Sequence, residues 1–292
     1  MTPKRILDRL EVVLGPSASP TRLVLAIEGE LADHFGMPKI RAAERAEAVV
    51  DAVATLTQAR AVAAQQAGHV PVLTIIGSSH DVVAGSCHIF PTDSDQVSLA
   101  KGFRVQREAL LMKMRALTFS EFETFGKRVL SELGAAFSHV TPHGNDQGID
   151  FFGHFSLGQI QELPAPFFSL AHDVRLLFAG QAKHYPTSAL GTAVVRELVG
   201  AVALARTKTF SQDGVDIFAE LEIRPFSPVV ALLFTTGQIT TGAYRLAASA
   251  GVVAKSGSQL ATFLADRGVG MLQEEGSAKF DPERFEDWLR AS

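Results

Sequence analysis

Val174-Arg175-Leu176-Leu177-Phe178-Ala179-Gly180-Gln181-Ala182-Lys183 is the stretch on which the reading of the fold turns. Leu176, Leu177 and Phe178 follow one another with no polar residue between them. That is the pattern of a strand covered on both faces, and such strands belong to sheets with helices above and below. The run closes on Gln181 and Lys183 with Ala182 between them. Side chains alternate along a strand, so the carboxamide and the ammonium leave on one face and Ala182 on the other. A lysine in an otherwise apolar strand is costly unless it faces a carboxylate, a phosphate or a metal-bound water. This strand end therefore calls for a ligand.

Upstream, 136–140 and 149–155 read as strands around a polar turn, 141–148. Before them, Thr118-Phe119-Ser120-Glu121 fits the S/T-x-x-E capping box, in which hydroxyl and carboxylate each satisfy an orphan backbone N–H. The helix it opens carries Phe122, Phe125, Val129, Leu130 and Leu133 on one face and stops at Gly134. Downstream come a helix over 192–206, a strand over 229–234, a helix over 241–250, a short strand over 252–255 and a helix over 258–266. A helix, three strands, then alternating helix and strand make an α/β sandwich with a central mixed sheet. The segments 156–173 and 208–228 exceed ordinary connections and read as insertions or flaps. Phe280, Phe285, Trp288 and Leu289 mark a C-terminal amphipathic helix that docks on one of the domains.

The N-terminal part has a different texture. Residues 6–14, 21–35 and 41–67 carry helical periodicity, and 70–76 and 82–90 are β-like runs separated by Gly77, Ser78 and Ser79. Helices followed by a hairpin are what a winged-helix DNA reader needs, in an order that many small domains share. Asp93-Ser94-Asp95-Gln96 is a polar break, and 107–116 reads as a connecting helix. A chain of 292 residues suits two domains. The expected division is 1–105, a mainly helical module that reads DNA or dimerises, and 106–292, the α/β domain with its C-terminal helix.

Composition narrows the classes. With 47% hydrophobic and 20% charged residues the chain folds. No apolar run approaches the roughly 20 residues of a membrane span. Lys4, Arg5, Asp8, Arg9 and Glu11 interrupt what would be the apolar part of a signal peptide, so the cytoplasm is the expected address. The single cysteine, Cys87, excludes an internal disulfide and a zinc-type Cys spacing, and reads as a half-buried strand residue. There is no G-x-x-x-x-G-K-[ST], hence no nucleotide cofactor bound by a P-loop, and no G-x-S-x-G elbow. A net charge of −4 does not advertise a nucleic-acid binder, although an average over the chain says little about one cleft.

Five blocks carry a resemblance: Phe122-Glu123; Gly144-Asn145-Asp146-Gln147-Gly148-Ile149-Asp150; Gly180-Gln181-Ala182-Lys183; Val195-Arg196-Glu197-Leu198-Val199-Gly200-Ala201; and Leu233-Phe234-Thr235-Thr236-Gly237. In this order, over 118–267, the chain resembles the Mrr-type restriction endonucleases, members of the PD-(D/E)XK nucleases in a QxK variant. The resemblance implies a restriction-endonuclease-like α/β sandwich and hydrolysis of a DNA phosphodiester with Mg²⁺, or Mn²⁺ in its place. It implies Asp150 as metal-binding aspartate, Gln181 at a usually acidic position, the Ala182 backbone carbonyl as a metal ligand, Lys183 as the lysine at the attacking water, and Glu123 as the helix glutamate that contributes to the metal site. The partner it implies is double-stranded DNA, in restriction or defence and on modified DNA. A homodimer or higher oligomer follows, because cutting both strands needs two sites. The spacing from Asp150 to Lys183 exceeds the family pattern, so 156–173 reshapes or covers the cleft, and the N-terminal segment does not match the family's usual winged-helix reader. Two alternatives stay open: a weakly active or inactive nuclease-fold DNA-binding subunit of a larger defence complex, and a structure-selective DNA repair nuclease.

Read singly, each residue has a plainer role. Asp150 fits a turn former, Lys183 a solvated strand end, Glu123 a helical partner for Lys127, and Asp146 a turn residue. His139, His143, His154, His172 and His184 scatter around the same segments, with His184, beside Lys183, the one candidate for contact with a phosphate.

Overall fold

A computed structural model describes residues 1–77, 81–141, 148–159, 171, 174–209, 216, 219, 223–224, 226–274 and 277–291. The chain forms two compact units, Met1–Glu108 with Thr262–Asp281, and Ala109–Ala261 with Pro282–Ser292. The sequence expectation, by contrast, kept 106–292 together.

In the first unit, α1 (Pro3–Leu14) starts on Thr2, whose side chain accepts from the Arg5 N–H, with Pro3 at the position that needs no donor. β1 (Thr21–Arg22), α2 (Leu23–Asp33), α3 (Lys39–Gln66), β2 (Leu73–Ile76) and β3 (Val82–Gly85) follow. The three strands form an antiparallel sheet in the order β1-β3-β2. Ile6, Leu7, Leu10, Leu23, Ile27, Leu31, Val49 and Val53 make the core. The helix expected over 21–35 begins at Leu23, because Thr21 and Arg22 pair with Val83 and Val82. The strand expected over 82–90 ends at Gly85, where the chain turns and the Cys87 N–H donates to Pro16 O at 2.7 Å. Cys87 is thus buried in a turn and not half-buried in a strand. The polar break at 93–96 opens a helix, α4 (Asp95–Val105), capped by Ser94. The hairpin of β11 (Met271–Glu274) and β12 (Ser277–Phe280) belongs to this unit. It packs so closely on α4 that a Cβ at Gly102 would lie 3.0 Å from that of Ala278. Phe280, expected in the last helix, is a strand residue.

In the second unit, α6 (Phe119–Glu132) has the capping box in full: the Glu121 N–H donates to Thr118 Oγ1, and Glu121 Oε2 accepts from the Thr118 N–H. It follows α5 (Arg107–Arg115). A five-stranded sheet has the order β10-β8-β6-β5-β4. Its strands are β4 (Phe137–Val140), β5 (Phe151–Ser156), β6 (Arg175–Lys183), β8 (Val229–Thr235) and β10 (Val253–Lys255). β4, β5 and β6 run antiparallel, whereas β6, β8 and β10 are parallel, so the sheet is mixed as expected. α7 (Thr192–Arg206) and α8 (Thr241–Ala250) bury Val195, Leu198, Ala243 and Ala247 with Phe152, Leu177, Ala179 and Leu233 of one sheet face. α6 covers the other face, where the Phe151 ring lies against both Gly126 and Gly180 and stacks on Phe234. Two short strands, β7 (Ala189–Leu190) and β9 (Gln238–Ile239), pair in parallel, and α9 (Gly257–Asp266) follows β10. α10 (Pro282–Arg290) docks on α6, with Phe285 fully buried and Trp288 Nε1 donating to Glu132 Oε1 at 2.7 Å. The proposed flaps 156–173 and 208–228 fall largely outside the described residues, as does most of the turn 141–148 with Asp146.

Candidate active site

Asp150 stands one residue ahead of β5. The register that pairs Phe151 with Gly180, carried one step on, sets Asp150 across from Gln181, and cross-strand neighbours share a face. The ladder loosens here. The Asp150 N–H donates to Gly180 O at 2.8 Å, and the Thr141 N–H donates to Asp150 O at 2.9 Å. Asp150 Oδ2 accepts from the Ala182 N–H at 2.7 Å. The carboxylate thus satisfies a backbone donor where the strand pairing ends, and it is 6% exposed. In an extended strand the N–H and C=O of one residue leave by the same edge, so the Ala182 carbonyl also leaves on the Asp150 side.

Gln181 is fully buried. Its Nε2 donates to Glu197 Oε1 at 2.9 Å, and Lys183 Nζ lies 3.3 Å from the same oxygen. Glu197 comes from α7, on the face that alternation gives to Gln181 and Lys183. The side chains of Lys183 and Glu197 are 24% and 52% exposed, so their ion pair adds little to stability. Gln181 Oε1 is buried and has no hydrogen-bond partner among the described residues. Gly148 has φ 82°, and a Cβ there would stand 3.3 Å from Ala201 Cβ and 3.9 Å from Gln181 Nε2. The loop backbone therefore passes close over the carboxamide in a left-handed conformation that favours glycine.

Asp150, Gln181, Ala182 and Lys183 come together at one sheet edge. Glu123 is half-buried on α6, the helix over the opposite face from Glu197. His184 also points to the α6 side, its ring 5.3 Å from Phe119 and 5.8 Å from Phe122, with Nε2 buried and without a partner among the described residues. His139 is exposed on β4 beside Phe152. His154 stacks on Phe137, and burial, helped by the charge of Arg175, lowers its pKa. His143 and His172 lie outside the described residues.

Sequence reasoning quoted Glu197 within a block but gave it no role. Glu197 is exposed beside the buried Leu198 at the flank of the apolar stripe of α7, so in sequence it reads as an ordinary solvated helix glutamate. Among the described residues no three His, Cys, Asp or Glu side chains gather as a metal cluster. The oxygen donors that meet here are a carboxylate, a carboxamide and a backbone carbonyl. No helix of the described residues is long and apolar enough to cross a membrane.

Residues 114–215 match the Mrr_cat family model, described as a restriction endonuclease. That segment contains every residue of the cluster. No curated protein gives a match. A solved structure described as "MspJI Restriction Endonuclease in Complex with 27-mer Oligonucleotide" aligns with 61% of this chain and 35% of its own, at 19% identity and a TM-score of 0.35. The chain thus spans about a third of that protein's length.

Proposed function

We propose, from the match of residues 114–215 to a restriction-endonuclease catalytic domain, that the protein is a metal-dependent endonuclease that hydrolyses phosphodiester bonds of duplex DNA in restriction or defence. The observation that carries this reading is the meeting of a buried carboxylate, a buried carboxamide oxygen without a partner among the described residues, and an ammonium at one sheet edge. A buried carbonyl left unpaired costs about 1–3 kcal/mol, a cost that a ligand would remove. The donors fit a hard divalent cation, since Mg²⁺ and Mn²⁺ take carboxylate, carboxamide and carbonyl oxygens. Asp150, Gln181 Oε1 and the Ala182 carbonyl would hold it. Bound there, Mg²⁺ supplies Lewis-acid polarisation of the phosphate and lowers the pKa of water.

The chain's own residues do the rest. Asp150 keeps one oxygen on the Ala182 N–H, which fixes the direction of the other. Lys183, tethered by Glu197, places its positive charge where a phosphate oxygen or the attacking water arrives. Glu123, half-buried on α6, is the further acidic residue this reading includes for the metal site. Cutting both strands needs two such edges, so a homodimer or larger oligomer belongs to this reading. The first unit, with α1, β1, α2, α3, β2 and β3 in that order and the sheet order β1-β3-β2, suits a winged-helix reader of DNA, with modified sites as targets. The cytoplasm is the compartment implied.

The neutral Gln181 supports a second reading, a nuclease-fold subunit that binds DNA within a defence complex and cuts weakly. Incubation of methylated and unmethylated plasmid with Mg²⁺, Mn²⁺ or EDTA separates the two. Asp150→Asn keeps an acceptor for the Ala182 N–H while removing the charge, and Lys183→Ala removes the ammonium. Metal-dependent cleavage lost in both variants is the expected result. Cleavage retained by both would remove these residues from the chemistry, and DNA binding without cleavage by the unaltered protein would favour the second reading.

A further inference from the structure

We infer that Glu197 is a positioning residue that fixes which end of the Gln181 carboxamide is offered to a metal ion, so that a neutral side chain serves at a position where an acid would need no such control. The inference rests on the metal-dependent reading above.

An ionised carboxylate only accepts hydrogen bonds, whereas a carboxamide has one accepting and one donating end. Glu197 Oε1 is 2.9 Å from Gln181, so the end that faces it is the NH₂ group. A turned-over amide would set oxygen against oxygen. Lys183 Nζ, 3.3 Å from the same Glu197 oxygen, ties that oxygen from a second direction and keeps it in place. The carbonyl end of Gln181 is thereby assigned to the opposite branch, where it is buried and has no partner among the described residues. Gly148 lies on the same side, where a Cβ would stand 3.9 Å from Nε2, so the loop backbone closes over the NH₂ end of the amide. Glu197 itself is half-exposed on α7, so replacing it opens no core.

A carboxylate at 181 would present an oxygen whichever way it turned, and a carboxamide does so only when held. Exchanging the two residue types therefore preserves the function: with Gln181→Glu and Glu197→Gln together, the new carboxamide donates to the new carboxylate and one oxygen at 181 stays available. Site charge is unchanged by the exchange.

The test is Mn²⁺ binding to the full chain, followed by electron paramagnetic resonance of free Mn²⁺, without reference to cleavage. The variants are Glu197→Ala, Glu197→Gln and the double exchange, with circular dichroism melts to confirm folding. Glu197→Ala is expected to weaken binding by about 10–100-fold, the usual effect of losing a group that orients a ligand, and Glu197→Gln to weaken it less, because its carboxamide oxygen still accepts from Gln181 when it faces that way. The double exchange is expected to restore it. Binding that both single variants leave unchanged, or a loss that the exchange does not repair, would overturn the inference alone. An unaltered protein that holds no Mn²⁺ would bring down the metal-dependent reading and this inference with it.

Discussion

Phe151 lays its ring over Gly180 of the next strand and against Gly126 of α6, and neither glycine has room for a Cβ there. Gly180→Ala should therefore cost about 1–3 kcal/mol through overpacking. Gly200, exposed in the interior of α7 with nothing near its missing Cβ, should behave oppositely: Gly200→Ala is expected to gain about 0.5–1 kcal/mol. Urea unfolding of both variants checks the pair, and a Gly180→Ala protein of unaltered stability would contradict the packing. Asp150 offers a second contrast. Asp150→Ala leaves the Ala182 N–H unpaired and should cost about 1–3 kcal/mol, whereas Asp150→Asn should be nearly neutral in stability. At this scale the shared face of Gln181 and Lys183 was legible, because alternation along a strand is fixed by the backbone. The Asp150 bond to Ala182 and the grip of Glu197 on Gln181 were not, since each joins elements whose approach no local pattern encodes.

The capping box of α6 was also legible, because its two bonds lie within four residues of chain. Thr118→Ala should cost about 1 kcal/mol at neutral pH. The bonds from the Thr118 N–H and then its hydroxyl hold the Glu121 carboxyl below its ordinary pKa. A carboxylate lowered on folding contributes stability that is complete above its ordinary value and is lost as pH falls through the folded-state value. The destabilisation caused by Glu121→Ala should accordingly be larger at pH 7 than at about pH 3.5, as read by denaturant midpoints at each pH. A difference independent of pH would show that the carboxylate charge is not what the cap uses. α7 and α8 matched their expected bounds, each starting one residue after a two-residue strand and carrying a clear apolar stripe. α4 went unread because it buries none of its residues deeply and so shows no stripe. β7 and β9 are two residues each, too short for any periodicity.

The first unit is assembled from two stretches of chain, Met1–Glu108 and Thr262–Asp281. Composition could not reveal this, because 262–281 looks like a continuation of the α/β pattern and only its contacts assign it. One contact is testable: the Arg104 guanidinium donates from Nε and Nη2 to the Asp266 carboxylate at 2.5 and 3.0 Å. Both side chains are about a third or more exposed, so solvent discounts the pair, and a double-mutant cycle with Arg104→Ala and Asp266→Ala should return a coupling below about 1 kcal/mol that shrinks in salt. A coupling of zero at low salt would mean that the bidentate geometry is not maintained in solution. The α4 contact with the β11–β12 hairpin has a further consequence in time. A ribosome delivers residues in order, at roughly 5–20 per second, and domains tend to fold as they emerge. Here the stretch 109–261, with the candidate site in it, is delivered while the unit begun at Met1 still lacks its hairpin, so α4 must wait with Gly102 uncovered until residue 281 has been made, and the second unit in turn gains α10 only after that.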